Sequence, residues 1–321
     1  MNDPILLGSP LQGFTDFHFR NAISNQFGGI DRFFAPYIRL NGKLDIKKVY
    51  QRDLAPDNNQ NQKWLTPQVM CNQVDEFMFV LEYISALGYK ELNWNLGCPY
   101  PMVAKKAMGS GLICHPDKIG EILEKACSQN EVKISLKMRL GYLEKTEILD
   151  TFSTLDAFDL EFVAIHARLG VDLYKKQADL EAFSTCIGKT KHPLYYNGDI
   201  TSVEKFREIK KAIPEIQHFL IGRGLLQDPF LAKMIHEDTL EYPVDRYRKL
   251  EEYHNDLYTH YLSTSSGPTP IKMKMLGFWE YFSYSFPESA KVYKKIKKAS
   301  NTKNYQWAVE EIFQNAKKQN Y

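Results

Sequence analysis

Cys98 stands between Gly97 and Pro99, three residues after Asn95, and it belongs to a series of polar residues that recur where β-rich runs end. Asn95 and Gly97-Cys98-Pro99 follow one such run, and Lys137 and Arg139 follow the next. His166 and Arg168 close a third, while Asn197-Gly198-Asp199 and Gly222-Arg223-Gly224 close the last two. Packing does not explain such residues at five successive run ends. The two glycine turns suit an anion: a phosphate needs backbone N–H donors at close range, and glycine admits it with no Cβ in the way. Arg223 could add charge there, and Lys137 could reach in from the opposite wall. A free thiol titrates near pH 8.5, so at neutral pH Cys98 is mostly protonated and able to donate a proton. A nucleophilic cysteine needs the reverse, a depressed pKa, so a donor Cys98 is expected not to be strongly acidified. Cys71, Cys114, Cys127 and Cys186 are expected to be small buried packing residues.

The elements that must position these groups alternate along the first 235 or so residues. Short β-rich runs at Ile5–Gly8, Arg32–Ala35, Gln68–Cys71, Glu91–Asn95, Lys133–Lys137, Phe162–His166, Leu194–Asn197 and Phe219–Gly222 each lead into an amphipathic stretch. Eight such units predict an α/β fold, a (β/α)8 TIM barrel. Its carboxyl-terminal strand ends share one face, where barrel enzymes build active sites and commonly hold a phosphate after the seventh and eighth strands. Tyr37–Thr66, with Asp57-Asn58-Asn59-Gln60-Asn61-Gln62, reads as a surface excursion, and Gly97–His115 as a glycine-punctuated loop with Lys105 and Lys106. Beyond Tyr242 the strand signal stops, and long aromatic, lysine-rich helical stretches follow, broken near Ser263–Pro270. The expected division is residues 1–240 for the barrel and 241–321 for a C-terminal helical domain.

The length allows this, since 321 residues exceed the roughly 250 of one barrel. The 44% hydrophobic and 25% charged contents are those of a soluble globular protein, and no apolar run approaches the roughly 20 residues of a membrane span. No C-x-x-C or H-E-x-x-H spacing occurs, so no disulfide or metal is expected. The opening Met1-Asn2-Asp3-Pro4 lacks the pattern of a signal peptide. A cytoplasmic monomer with no membrane association is expected. The net charge of +2 does not announce a nucleic-acid partner, so any such surface must be local.

The motifs taken together resemble the FMN-dependent tRNA-dihydrouridine synthase family along nearly the whole chain. The family's opening A-P-M-x-G-x-T-D-x-x-F-R is similar to the stretch from Ser9 to Arg20, and its third-strand glutamine matches Gln68. Its D-L-N-x-G-C-P and basic, glycine-rich loop match Asn93 to Pro99 and Lys105 to Leu112. K-x-R-x-G is Lys137 to Gly141, the histidine of H-x-R is His166, N-G-D-I is Asn197 to Ile200, and I-G-R-G is Ile221 to Gly224. The resemblance implies an FMN-binding barrel and a helical domain that helps hold tRNA. By position it implies Pro10, Leu11, Gln12, Gln68, Lys137, His166, Asn197, Gly198, Asp199, Gly222 and Arg223 lining FMN. Asn95 and Arg168 would face the uracil, and Cys98 would be the proton donor. The implied reaction reduces the 5,6 double bond of a uridine in tRNA, with hydride from reduced FMN to carbon 6 and a proton from Cys98 to carbon 5. NADPH is the implied electron donor, and with no G-x-G-x-x-G in the chain it would dock transiently over the flavin. Lys137 would favour the anionic reduced flavin and its phosphate, and His166 would donate to the flavin's carbonyl edge.

Several residues depart from the family pattern. Leu11 replaces Met, Asn93 replaces Asp, and Trp94 replaces a smaller apolar residue; Leu11 and Trp94 read as packing variants. His166-Ala167-Arg168-Leu169 stands for H-G-R-T, which leaves open which uridine is modified. In the C-terminal region Lys291, Lys294, Lys295 and Lys298 fall on one helix face, with Lys272, Lys274, Trp279, Tyr281 and Tyr284 before them. Lysines could hold phosphates there and the aromatics could stack on bases. The alternatives are a free-pyrimidine FMN oxidoreductase of the dihydroorotate type, for which the tail has no obvious use, and a tRNA-binding module without catalysis.

Overall fold

The computed structural model describes residues 3–40, 42–59, 64–128, 131–264 and 267–319. Gln60, Asn61 and Gln62 of the polar excursion, and Ser265 and Ser266 of the C-terminal break, lie outside them.

Nine parallel strands form one sheet: β1 Ile5–Gly8, β2 Arg32–Phe34, β3 Leu65–Thr66, β4 Gln68–Val69, β5 Glu91–Leu96, β6 Lys133–Gly141, β7 Val163–Leu169, β8 Leu194–Asn197 and β9 His218–Ile221. Their order is β3-β2-β1-β9-β8-β7-β6-β5-β4. Its two ends are neighbours in sequence, separated only by Pro67. Proline has no N–H to give a ladder, so a single stave pairs by its first half with β2 and by its second half with β5. The sheet thereby runs round into a nearly closed barrel, with the eight staves that the eight predicted units require. The third stave starts earlier than its sequence suggests. The excursion before it is not merely surface, because it carries a helix at Lys48–Leu54 and buries Ile38, Leu40, Ile46 and Leu54.

Side-chain alternation sets what faces inward. In β6, Ile134, Leu136, Met138 and Leu140 join the core between sheet and helices, which leaves Ser135, Lys137 and Arg139 to the barrel interior. Leu7, Phe34, Phe162, Ala164 and Leu220 form a separate apolar cluster. Strand register then aligns the chemistry: Asn95 pairs with Lys137, Arg139 with His166, and His166 with Asn197. β6 and β7 run past their expected ends, so Arg139 and Arg168 are strand residues and not loop residues. Their polar side chains hide the strand signal in the sequence, while the neighbouring strands supply the missing ladder partners.

Four helices, Arg246–Thr264, Pro268–Phe282, Ser289–Lys298 and Thr302–Gln319, make up the C-terminal region. Their centre is aromatic. Trp279 is fully buried, and its indole donates to the Tyr305 hydroxyl at 2.9 Å, which lies 2.7 Å from His254 Nε2. Trp279 is therefore a core residue, not a platform for a base. Lys274 is likewise committed, donating to the Gly13 carbonyl at 2.8 Å and to Asp16 at 3.0 Å. Asp16 also accepts from Tyr261 and caps the helix Phe17–Gln26, so the loop after β1 is tied to the C-terminal helices through one carboxylate. Burial works to raise the Asp16 pKa, but the Lys274 ammonium outweighs it and holds the carboxyl below its usual range.

Cys71 and Cys186 are buried as expected, but Cys114 is exposed and Cys127 half-buried. Cys114 lies in the turn before the helix Pro116–Cys127, and Cys127 is the last residue of that helix. No helix among the described residues is long and apolar enough to cross a membrane, and no group of three metal-ligating side chains occurs among them.

Candidate active site

A line of hydrogen bonds runs through the barrel to Cys98. Glu91, paired with Arg32, accepts from the Ser135 hydroxyl at 2.7 Å. Ser135 accepts from Asn93 at 2.9 Å, Asn93 from Gln68 at 2.7 Å, and Gln68 from Asn95 at 2.7 Å. The Asn95 carbonyl oxygen then accepts from the backbone N–H of Gly97 at 3.0 Å and of Cys98 at 2.9 Å. Each amide donates at one end and accepts at the other, which a carboxylate at position 93 could not do. Asn93, a departure from the family pattern, thus acquires a physical reason. Burial pushes the Glu91 pKa up against the opposing pull of Ser135 and Arg32.

The other side of the Cys98 loop is held equally firmly. The Cys98 carbonyl accepts from both the backbone and the hydroxyl of Ser110, at 3.0 and 3.1 Å. Gly109, at φ +55°, lies beneath, where a Cβ would come 2.6 Å from that carbonyl oxygen. Arg139 Nε donates to the Gly97 carbonyl at 3.0 Å, and its Nη1 to the carbonyls of Leu169 and Leu173. The loop's path is thereby set from four directions, and the thiol opens into a cavity of about 630 Å³ at the carboxyl-terminal mouth of the barrel. The Tyr37 hydroxyl stands 3.8 Å from the sulfur. Burial, and then the neighbouring Cys98, raise the Tyr37 pKa, so its O–H remains protonated and available as a donor.

Lys137 enters the same cavity from β6 with no hydrogen-bond or ion-pair partner among the described residues, and it is 8% exposed. Burial first, and the charge of Arg139 second, bring its ammonium down to about pH 7. Next to it, His166 Nε2 lies 2.8 Å from Arg168 Nη1. A guanidinium only donates, so Nε2 is the acceptor and the ring proton sits on Nδ1. Burial and the charges of Arg139, Lys137, Arg168 and Arg223 push the His166 pKa well down. The ring is neutral, with one N–H left to offer.

A smaller cleft of about 60 Å³ continues from this wall between the ends of β8 and β9. Asn197, Gly198, Asp199, Gly222, Arg223 and Gly224 line it together with Pro10 and Leu11. Asn197 is anchored through its amide to the Leu220 carbonyl at 2.8 Å. Gly198 has φ +152°, and a Cβ there would meet the Ala178 side chain at 2.7 Å. Asp199 receives Arg168 at 2.6 and 2.7 Å, Arg223 at 2.9 Å and the Ala178 N–H at 2.8 Å. Burial alone would raise its pKa; these donors more than offset that and lower it.

Of the residues singled out in the sequence, Pro10, Leu11, Gln12, Asn95, Cys98, Lys137, His166 and Arg223 line the main cavity, and Asn197, Gly198, Asp199 and Gly222 the cleft. Leu11 therefore touches whatever fills them, whereas Trp94 is a packing residue that donates to the Cys71 carbonyl. Gln68 and Arg168 do not reach the main cavity. Gln68 is fully buried between Asn93 and Asn95, and the Arg168 guanidinium lies behind His166 with bonds to that ring, to Asp199 and to the Lys176 carbonyl. Tyr174 escaped the sequence reading. It sits in the loop after β7, with the guanidinium carbons of Arg139 and Arg223 5.1 and 5.0 Å from its ring centroid. Tyr37, Tyr100, Glu280, Tyr281 and Tyr284 complete the rim, the last three from the C-terminal region. Tyr281 and Tyr284 were among the aromatics the sequence offered to bases, whereas no motif marks Tyr37, Tyr100 or Glu280, and only an aromatic residue near a strand end could have drawn attention to Tyr174. Of the lysine stripe, Lys291 pairs with Glu288 and Lys295 with Glu311, which leaves Lys294 and Lys298 exposed and, among the described residues, unpaired.

Comparison with known proteins gives this site a context. The profile of the dihydrouridine synthase (Dus) family matches residues 7–319. A probable tRNA-dihydrouridine synthase of Helicobacter pylori is 26% identical over 269 residues, 79% of each chain. The tRNA-dihydrouridine(16) synthase of Cupriavidus necator is 24% identical over 233 residues, 71% of this chain and 72% of that one. Among solved structures, the old yellow enzyme homologue of Zymomonas mobilis superposes with a TM-score of 0.52 at 9% identity, over 74% of this chain and 89% of that chain, a likeness of fold alone.

Proposed function

The chain belongs to the dihydrouridine synthase family, and from that footing we propose that it reduces the 5,6 double bond of a uridine in tRNA, with FMN bound in the barrel and NADPH as electron source. The observation that carries this reading is Lys137, a buried ammonium with no partner among the described residues that faces a cavity shared with the Cys98 thiol. A buried cation is retained only where something anionic completes it.

The residues fit a flavin mononucleotide. Backbone at Gly198 and Gly222, with Arg223, supports a phosphate in the cleft. The Nδ1–H of neutral His166 suits a carbonyl acceptor, and Lys137 suits an electron-rich ring edge. When bound, FMN supplies the hydride for carbon 6, chemistry that no side chain provides. The chain's own part is the proton. Cys98 donates to carbon 5 as charge develops towards the carbon 4 carbonyl, and the Tyr37 hydroxyl then donates to the sulfur left behind. Asn95 acts by holding the Cys98 backbone and has a second amide hydrogen for the base. Arg168 acts through His166 and Asp199, which it orients. The C-terminal residues 241–321 serve as the part that holds RNA, a polymer whose target base must be turned out of its stack to enter the cavity.

The deciding experiment is anaerobic. Flavin in the purified protein is reduced with NADPH, then unmodified tRNA, orotate and uracil are added separately while reoxidation is followed. Reoxidation by tRNA, with dihydrouridine appearing in the RNA, is the expected result. Reoxidation by free pyrimidine alone would make this a small-molecule reductase, and protein that retains no flavin would leave at most an RNA-binding role.

For RNA binding, only the two unpaired lysines of the stripe are expected to matter. Lys294→Glu with Lys298→Glu should weaken tRNA binding and make the slope of log K against log salt shallower by about one to two. Unchanged affinity and slope in a filter-binding titration would remove this helix from the interface.

A further inference from the structure

Behind Tyr174 lies a second cleft, of about 430 Å³, which shares Asp199, Thr201 and Arg223 with the cleft between β8 and β9 and whose lysine side the reaction described above does not use. Its volume is within the roughly 300–1,000 Å³ common for small-molecule sites. Five cations line it, Arg168, Lys175, Lys176, Lys205 and Arg223, against a single carboxylate, Asp199. That carboxylate is already shared by Arg168 and Arg223. Lys205 pairs with exposed Glu208, a contact worth at most about 1 kcal/mol and easily exchanged, and Lys176, itself exposed, pairs with the mostly covered Asp172. Lys175 is exposed and has no ion pair among the described residues. The floor is different in kind. Leu180, Ala178 and Ile209 give it apolar surface, and Tyr196, 1% exposed, has no hydrogen-bond partner for its hydroxyl among the described residues. A flat heterocycle with phosphate groups matches a floor of this type under a basic rim.

The cleft is not isolated. Tyr174, Arg223 and Gln227 line both it and the Cys98 cavity, so one extended molecule can lie across that ridge with an end in each. We propose that this cleft binds the phosphorylated adenosine half of a nicotinamide dinucleotide, whose nicotinamide end reaches over Tyr174 into the Cys98 cavity. The inference rests on the reading of the protein as a flavin enzyme reduced by such a donor. It accounts for specificity towards a nicotinamide donor in a chain with no glycine-rich dinucleotide motif: the recognition charge lies on the loop after β7 and on the helix Val203–Ala212. RNA phosphates are the competing source of anionic charge. The unpaired lysines that suit RNA lie on another helix, whose Tyr293 neighbours Glu280, at a part of the cavity rim that the cleft does not share.

The test uses the flavin-loaded protein and its Lys175→Glu/Lys205→Glu variant at about 0.15 M salt, where charges are screened beyond about 8 Å. Adenosine 2′,5′-bisphosphate is titrated calorimetrically into each. It is expected to bind the wild type and to bind the variant at least about tenfold more weakly. The NADPH concentration that half-saturates anaerobic flavin reduction should rise by a similar factor. The limiting reduction rate and the Kd for unmodified tRNA should stay within about twofold. Failure of the wild type to bind the bisphosphate, or equal binding by the variant, overturns the proposal. So does a variant that loses tRNA affinity with reduction unaltered, which would make the cleft an RNA surface. Bisphosphate binding with reduced flavin that tRNA never reoxidises would sink the synthase reaction and leave the cleft's ligand standing.

Discussion

Cys98→Ala is expected to slow dihydrouridine formation by about 10²–10⁴-fold, the usual worth of a positioned general acid, while flavin binding, flavin reduction and tRNA affinity stay near wild type. This separation follows from how the loop is held. Asn95 and Ser110 grip the Cys98 backbone and Gly109 supports it from beneath, so removing the sulfur leaves the loop in place. Only the proton source disappears from the cavity. The measurement is single-turnover reoxidation of reduced flavin by unmodified tRNA, with dihydrouridine counted in the product. Tyr37→Phe should have a smaller effect, about tenfold or less, because it removes a donor to the departing sulfur and not the acid itself. Wild-type reoxidation by the alanine variant would mean that another group supplies the proton.

Lys137→Met is expected to act in opposite directions on the empty and the loaded protein. In the apoprotein Lys137 titrates near pH 7, far below its ordinary value of 10.5. Between those values the unfolded chain binds more protons than the native one, so stability rises with pH across that window. The penalty of the buried charge is fully present below pH 7 and gone above 10.5. Methionine, of similar length and without charge, should therefore raise the apoprotein Tm at neutral pH by roughly 2–6 °C and flatten its rise towards alkaline pH. Flavin binding should weaken by at least about tenfold, since the anionic ligand loses a buried cation that lines the cavity. An anion beside Lys137 raises its pKa again, so wild-type flavin binding takes up a proton above pH 7 and weakens as pH rises. Calorimetry of FMN binding in two buffers of different ionisation enthalpy reads that proton directly, and the variant should show none. A variant no more stable when empty, or with undiminished flavin affinity, would refute this account of Lys137.

The amino-acid sequence by itself carried the alternation that makes a barrel, because inward and outward positions of a buried strand differ in type. β1 and β8 were legible to the residue. The residues that must be glycine, cysteine, lysine or histidine for chemical reasons were legible too, since those side chains have no cheap substitutes. Cys98, Lys137, His166 and the turns at Gly198 and Gly222 all arrive at one mouth.

Tertiary structure alone decided how those groups divide the work. Gln68 and Arg168 look like ligand contacts in a linear reading, yet strand register places one under Asn95 and the other behind His166. Their hydrogen bonds span 27 and 31 positions, to Asn95 and Asp199, distances at which no local pattern can act. The lysine stripe looked uniform because helical periodicity shows only which residues share a face. Glu288 and Glu311, from outside that helix face, silence half of it. Trp279 looked available to a base until the helices Arg246–Thr264 and Thr302–Gln319 closed around it. Tyr174 became visible only when β6, β7 and β9 brought Arg139 and Arg223 to its ring. Chemistry that resides in a residue's own atoms can be read from its letter, while the fate of its hydrogen bonds depends on what folding sets beside it.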